Sequence, residues 1–148
     1  MSSHASLTHS TASISRDKAQ ELLLAARKAA DDIGIQVAIA IAITDGGGHL
    51  SAFERSDTAP FLTVGVAIDK AYTATSFGLS TDVWNHVVAQ PATAPLANHP
   101  RVMAVGGGVP IVAAGQVVGG IGISGGTAQQ DHDAALVALR ASGFEVAA

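Results

Sequence analysis

The chain has 148 residues, of which 48% are hydrophobic but only 4% aromatic, and its formal net charge is -4. That length suffices for one sizeable core, while an acidic balance with only 8 Lys and Arg excludes the basic footprint that nucleic acid or an anionic membrane surface needs. Zero cysteines exclude disulfides, thiolate metal sites and a cysteine nucleophile.

Residues 1–13 are rich in Ser, Thr and His and lack a basic segment followed by an apolar run. They read as neither export signal nor membrane span, which predicts a frayed tail at 1–14 and a single domain at 15–148 of a cytoplasmic protein. His4 and His9 fall on that tail, in solvent. From Ser15, the residues Ala19, Leu22, Leu23, Ala26, Ala30 and Ile33 recur at spacings of three and four, giving a helix that Gly34 ends.

At 35–44 the period changes to two, with Ile35, Val37, Ile39, Ile41 and Ile43 on one side and Ala38, Ala40 and Ala42 on the other. Both sides are apolar, as in a central strand covered on each face. Asp45-Gly46-Gly47-Gly48 is a turn, and a strand at 49–54 completes an antiparallel hairpin. Ser56 or Asp57 then caps a helix with Pro60 in its first turn, running through Val64, Ala67, Ile68 and Ala71 to Phe77 before Gly78. Ser80 or Thr81 starts a shorter helix, and Pro91, Pro95 and Pro100 mark the longest irregular stretch.

Strands are predicted at 102–105, 109–113 and 116–123, the last two as a hairpin. The final strand stops at Ser124-Gly125-Gly126, and Thr127 with Gln130 has the spacing of a capping box, so a helix follows and ends near Gly143. Gly119, Gly120 and Gly122 allow close strand-to-helix packing, and open N–H groups at the corner offer a possible anion seat. Strands arriving in hairpins rather than singly between helices predict an antiparallel or mixed sheet of about five strands.

Polar residues able to do chemistry are few. No H-x-x-x-H metal spacing and no G-x-S-x-G elbow occurs. Asp131, His132 and Asp133 form a cluster, yet neighbours on a helix point in different directions, and acids in a first turn are accounted for by the helix dipole. Arg55, at the end of the second strand, can clamp a carboxylate through two parallel hydrogen bonds or simply pair with Glu54 or Asp57. Lys70 lies on a helix of small residues, where burial would require an anion, either Asp131 or a ligand carboxylate. His49, His86 and His99 are each open as axial ligand or proton carrier, although a lone histidine is more often a hydrogen-bonded structural residue.

Four segments taken in order resemble the GlcG/HbpS family, which includes the C-terminal domain of PduO-type proteins: Asp45-Gly46-Gly47-Gly48-His49 through Ala59, Ala67-Ile68-Asp69-Lys70-Ala71-Tyr72, Gly106-Gly107-Gly108-Val109-Pro110, and Gly119-Gly120-Ile121-Gly122 through Gly126 with Gln130-Asp131. The resemblance spans about residues 15–143. It implies an α+β, profilin-like α-β-α domain with a mainly antiparallel five-stranded sheet, a homo-oligomer, and haem as the ligand of known relatives. Unlike secreted relatives, this sequence shows no export signal.

Two readings follow. In the first, the protein is an oligomeric binder of haem or another small ligand. Its pocket lies between the Lys70 helix and the corner, lined by Arg55, Lys70, Phe77, Ser124, Gly125, Gly126 and Gln130, with His49 and His99 as metal candidates. In the second, it is a cofactor-independent isomerase, deaminase or hydrolase acting on a small carboxylate metabolite of a catabolic pathway. There Arg55 or Lys70 holds the carboxylate, and Lys70, Asp131 and His132 form the catalytic group. The second reading requires Lys70 and Asp131 to face one closed pocket.

Overall fold

A computed structural model describes residues 7–35 and 38–146 of the chain. Strands β1 (Ala40–Asp45), β2 (Leu50–Arg55), β3 (Gly108–Ala113) and β4 (Gln116–Ser124) form one antiparallel sheet in the order β2-β1-β4-β3. Helices α1 (Arg16–Ile33) and α4 (Ala128–Ala141) cover one face; α2 (Phe61–Phe77) covers the other, and α3 (Thr81–Val88) packs beside it. This is the expected α-β-α layering.

The alternation of β1 builds both layers. Ile39, Ile41 and Ile43 join Leu22, Ala26, Ile121, Ile123 and Leu139 in the core under α1 and α4. Ala40 and Ala42 point the other way, onto Ala67 and Ala71 of α2. Each fully buried Ile or Leu contributes roughly 1.5–3 kcal/mol, so stability is concentrated on the α1/α4 side, and the alanine side gains closeness instead.

Closeness is set by glycine. A Cβ on Gly122 would lie 2.0 Å from the Ala67 carbonyl oxygen, and one on Gly120 would lie 2.4 Å from that of Ala71. Helix α2 therefore rests backbone to backbone on β4, the packing role the sequence offered for these glycines.

Local signals hold at most helix ends. Ser15 accepts from the Lys18 N–H, Gly34 closes α1 at φ 104°, and Gly78 closes α2 at φ 67°. Thr127 and Gln130 form the reciprocal capping box at the start of α4. Helix α2 departs from expectation, because neither Ser56 nor Asp57 caps it. Its N-cap is Pro60, while the Ser56 hydroxyl is engaged with the backbone of Ile39 across the sheet edge.

Two strand expectations are corrected. Strand β1 starts at Ala40, not at 35: the N–H of Ile35 closes onto the Ala30 carbonyl and belongs to the end of α1. Gln36 and Val37 lie outside the described residues, as does His4. The sheet also has four strands, not five, because 102–105 makes no ladder. Side chains satisfy that segment: Thr73 bridges the Arg101 carbonyl and the Met103 N–H, Asn85 donates to the Ala104 carbonyl, and Thr81 donates to that of Val105. Backbone groups served this way gain nothing by joining a sheet. Within the irregular stretch, Ala94–Asn98 forms a 3-10 turn.

Candidate functional site

Lys70 and Asp131 meet, Asp131 being one of the two anions that burial of Lys70 was expected to require. Both are 2% exposed. The Lys70 Nζ donates to Asp131 Oδ2 at 3.2 Å and to the Ile123 carbonyl at 2.9 Å. Asp131 Oδ1 in turn accepts from the Gly126 N–H at 2.9 Å, and the Gly125 N–H adds a second backbone donor. Burial lowers the Lys70 pKa against the opposing pull of Asp131, and burial raises that of Asp131 against Lys70 and the two glycine amides.

The expected hollow at this joint is filled. A Cβ on Gly107 would come within 2.7 Å of Lys70 Nζ and 2.8 Å of Asp131 Cβ, and one on Gly125 within 1.9 Å of the Ala38 carbonyl oxygen. The segments converge but close on each other, so the buried lysine has taken the internal carboxylate as its anion. The condition set by the enzyme reading, a pocket opening onto both groups, is not met.

The remaining predicted residues spread over the molecule. Arg55 and Ser124 both pair with Ala40, placing them in one row across the sheet about 10 Å apart. Arg55 is exposed and, among the described residues, donates to the carbonyls of Ser56 and Asp57, while Glu54 pairs instead with Arg27 at 3.0 Å. Ser124 is buried, and Gln130 is used by its capping box. Phe77 lies about 10 Å along α2 from Lys70, 72% exposed and stacked on Trp84. His49 is on the surface with its Nδ1 at 3.2 Å from Asp45 Oδ1, and His99 Nδ1 accepts from the Arg101 N–H. No group of three or more His, Cys, Asp or Glu that could hold a metal occurs among the described residues.

His132 stands apart from its neighbour. One residue along α4 turns it away from the Lys70 joint and toward α3, where its Nε2 lies 3.9 Å from Asp82 Oδ2. That gap is too long for a direct hydrogen bond. Its Nδ1 is enclosed and meets no partner among the described residues. Beside this imidazole runs a cleft of about 480 Å³, walled by Val83, Val109, Pro110 and Leu136 and reaching Arg140. A smaller cleft of about 210 Å³ opens on the other side of the Asp82–His132 contact, next to His86 and Gln129. Burial pushes the Asp82 carboxyl up but is outweighed by the Ser80 hydroxyl, the His132 charge and the Val83 N–H, so its pKa falls below the usual carboxylate range.

Comparison with known proteins places this architecture. The family described as "Haem degrading protein HbpS-like" matches residues 14–140. The chain belongs to the HbpS-like family. A 15.0 kDa Citrobacter freundii protein from the dhaT-dhaS intergenic region is 33% identical over 108 residues, 71% of this chain and 76% of the relative. The crystal structure of HbpS superposes with a TM-score of 0.84 at 25% identity, covering 95% of this chain and 98% of that one. That of the PduOC:haem complex gives 0.80 at 29% identity, covering 90% and 97%.

In this HbpS-like chain the cleft residues Asp82, Val109, Pro110 and Arg140 escaped prediction. One signal was present: His132, Leu136 and Arg140 recur every fourth residue, tracing a second face of α4 beside its alanine-rich core stripe. Nothing in the sequence said that α3 and β3 would stand opposite that face. No helix among the described residues is long and apolar enough to cross a membrane.

Proposed function

We propose that this protein is an oligomeric binder of a small ligand, with haem as the ligand its family position favours, and that the ligand enters the cleft between α3, β3 and α4. The observation carrying this reading is the imidazole of His132 on the wall of a cleft built from Leu79, Val83, Val109, Pro110 and Leu136 that also carries Asp82, Arg140 and Glu145, with one ring nitrogen enclosed and unpartnered among the described residues. An enclosed unpaired polar atom costs about 1–3 kcal/mol, which makes the ring a poor choice for structure alone. The cleft volume falls in the range of small-molecule sites. PduOC, a structural neighbour at 29% identity, has been crystallised with haem.

The residues present fit such a group. Val109, Pro110 and Leu136 offer apolar contact, and we assign the iron to His132 Nε2, which Asp82 approaches only to 3.9 Å; His49 and His99 stand on exposed loops. Haem, when bound, supplies redox chemistry at its iron; the chain supplies the apolar wall and the imidazole. Self-association is supported by Phe61, 94% exposed, and Leu62, 72% exposed, on the first turn of α2. Sedimentation velocity on wild type and a Phe61→Ser, Leu62→Ser variant tests that part, with a smaller species expected for the variant.

Hemin titration tests the ligand. A shifted Soret band is expected at micromolar hemin, with its position changed by His132→Ala and left alone by His49→Ala and His99→Ala. Absence of any shift in the wild-type protein rules the haem reading out.

A further inference from the structure

His132, Leu136 and Arg140 all face the same cleft and are spaced at i, i+4 and i+8 on α4. Such residues share a helix face, and with a rise of 1.5 Å per residue the stripe spans about 12 Å. It therefore presents an imidazole at one end, an apolar centre and a guanidinium at the other end.

We infer that Arg140 is an anion-binding group of this cleft and that the site selects amphipathic ligands carrying a carboxylate, their apolar body lying against Leu136, Val109 and Pro110. The inference rests on the binding reading above and adds to it the chemical feature the ligand must have. Three observations lead there.

First, the acidic residues of the cleft are already engaged. Asp82 accepts from the Ser80 hydroxyl and from the Val83 N–H, and Glu145 Oε1 accepts from the Gly115 N–H at 3.2 Å. Second, Arg140 makes no ion pair among the described residues, although it borders the same cleft as both acids. A guanidinium with its fork of donors uncommitted matches a carboxylate in a bidentate arrangement, where a lysine would act only as a point charge. Third, the wall between the two polar ends is apolar, so a small hydrophilic acid would leave it uncovered. A ligand with a broad apolar body and an acid at its edge satisfies both.

Carboxylate recognition is separable from iron recognition by removing each from the ligand. Metal-free protoporphyrin IX and its dimethyl ester, titrated onto the full chain by fluorescence, compare free acid with masked acid; hemin, followed at the Soret band, adds the metal. The free acid is expected to bind wild type about ten-fold more tightly than the ester, as loss of one charge-assisted contact implies. Arg140→Gln is expected to abolish that difference by weakening the acid and leaving the ester unchanged. Arg140→Lys is expected to restore only part of it.

Equal binding of acid and ester by wild type, or an acid-over-ester gap that survives in Arg140→Gln, overturns the inference. Hemin binding that is insensitive to Arg140 overturns it too, while leaving the haem reading standing. If neither porphyrin nor hemin binds, both fall. Arg140 is exposed, so the variants keep the fold, and an unchanged melting temperature confirms it.

Discussion

Lys70→Met tests whether the buried pair acts as one unit. Among the described residues, the substitution leaves the Asp131 carboxylate, 2% exposed, with the Gly125 and Gly126 N–H groups as partners. Breaking a buried ion pair from one side costs about 3–5 kcal/mol. For a domain of this size about 2–4 °C of melting temperature goes with each kcal/mol, so a fall of about 6–20 °C is expected. Asp131→Asn should cost a comparable amount, because it leaves the ammonium with the Ile123 carbonyl and no counter-charge. In the double variant no charge is stranded, and the Asn oxygen can still accept from Gly126. Its loss should therefore fall short of the sum of the singles by about 1–3 kcal/mol.

The pKa directions agree. Burial raises Asp131, so the stability its proton brings is present below about 3.9, the unfolded value, and is lost as pH rises through the raised folded value. Burial lowers Lys70, so the stability of its neutral form is present above about 10.4 and lost as pH falls through the lowered folded value. Both directions record the desolvation penalty that burial places on the charged forms, which is why removing both groups is tolerated better than removing one. Urea unfolding of the four proteins at pH 7 measures the cycle. Losses that add to within about 0.5 kcal/mol would refute the coupling.

Four further outcomes are expected. Gly122→Ala puts a methyl 2.0 Å from the Ala67 carbonyl oxygen and should cost at least the upper end of about 1–3 kcal/mol. Gly65→Ala, on the same α2 layer but with open space around it, should stabilise by about 0.4–1 kcal/mol; thermal melts of the two give opposite signs. Thr127→Ala removes the hydroxyl half of the capping box, the oxygen that accepts from the Gln130 N–H, and should lower stability by about 0.5–2 kcal/mol, with Thr127→Ser close to wild type in urea titration. Burial of Asp45 acts upward but is outweighed by the His49 and Gly47 N–H groups and the His49 ring, leaving its pKa lowered. Its contribution is thus present above the unfolded value of about 3.9 and lost as pH falls through the folded value. Asp45→Asn should flatten the acid limb of melting temperature against pH below about pH 4, and an unchanged limb refutes that role.

The candidate site was legible in fragments. Lys70 in a small-residue helix demanded an anion, and Asp131 was one of the two offered, yet 61 residues separate them and no local pattern joins them. The filled joint was hidden because it depends on fit at the scale of tenths of an ångström: four glycine positions, 107, 108, 122 and 125, let backbone and side chains occupy the space a guest would need. The fifth strand failed for a similar reason, since Thr73, Thr81 and Asn85 reach residues 101–105 only once α2 and α3 have docked.

By itself the sequence determined what is local or periodic. Ile and Ala alternating through β1 demanded cover on both faces, and Ser15, Gly34, Gly78 and the Thr127/Gln130 box set helix ends, because capping and periodicity act within a few residues. Only the tertiary structure decided which polar groups share a space. It closed Lys70 onto Asp131, and it turned His132 and Arg140 toward Val109 and Pro110 of another element. Which face of a helix meets which strand is fixed by the sum of long-range packing, and no short window of residues contains that sum.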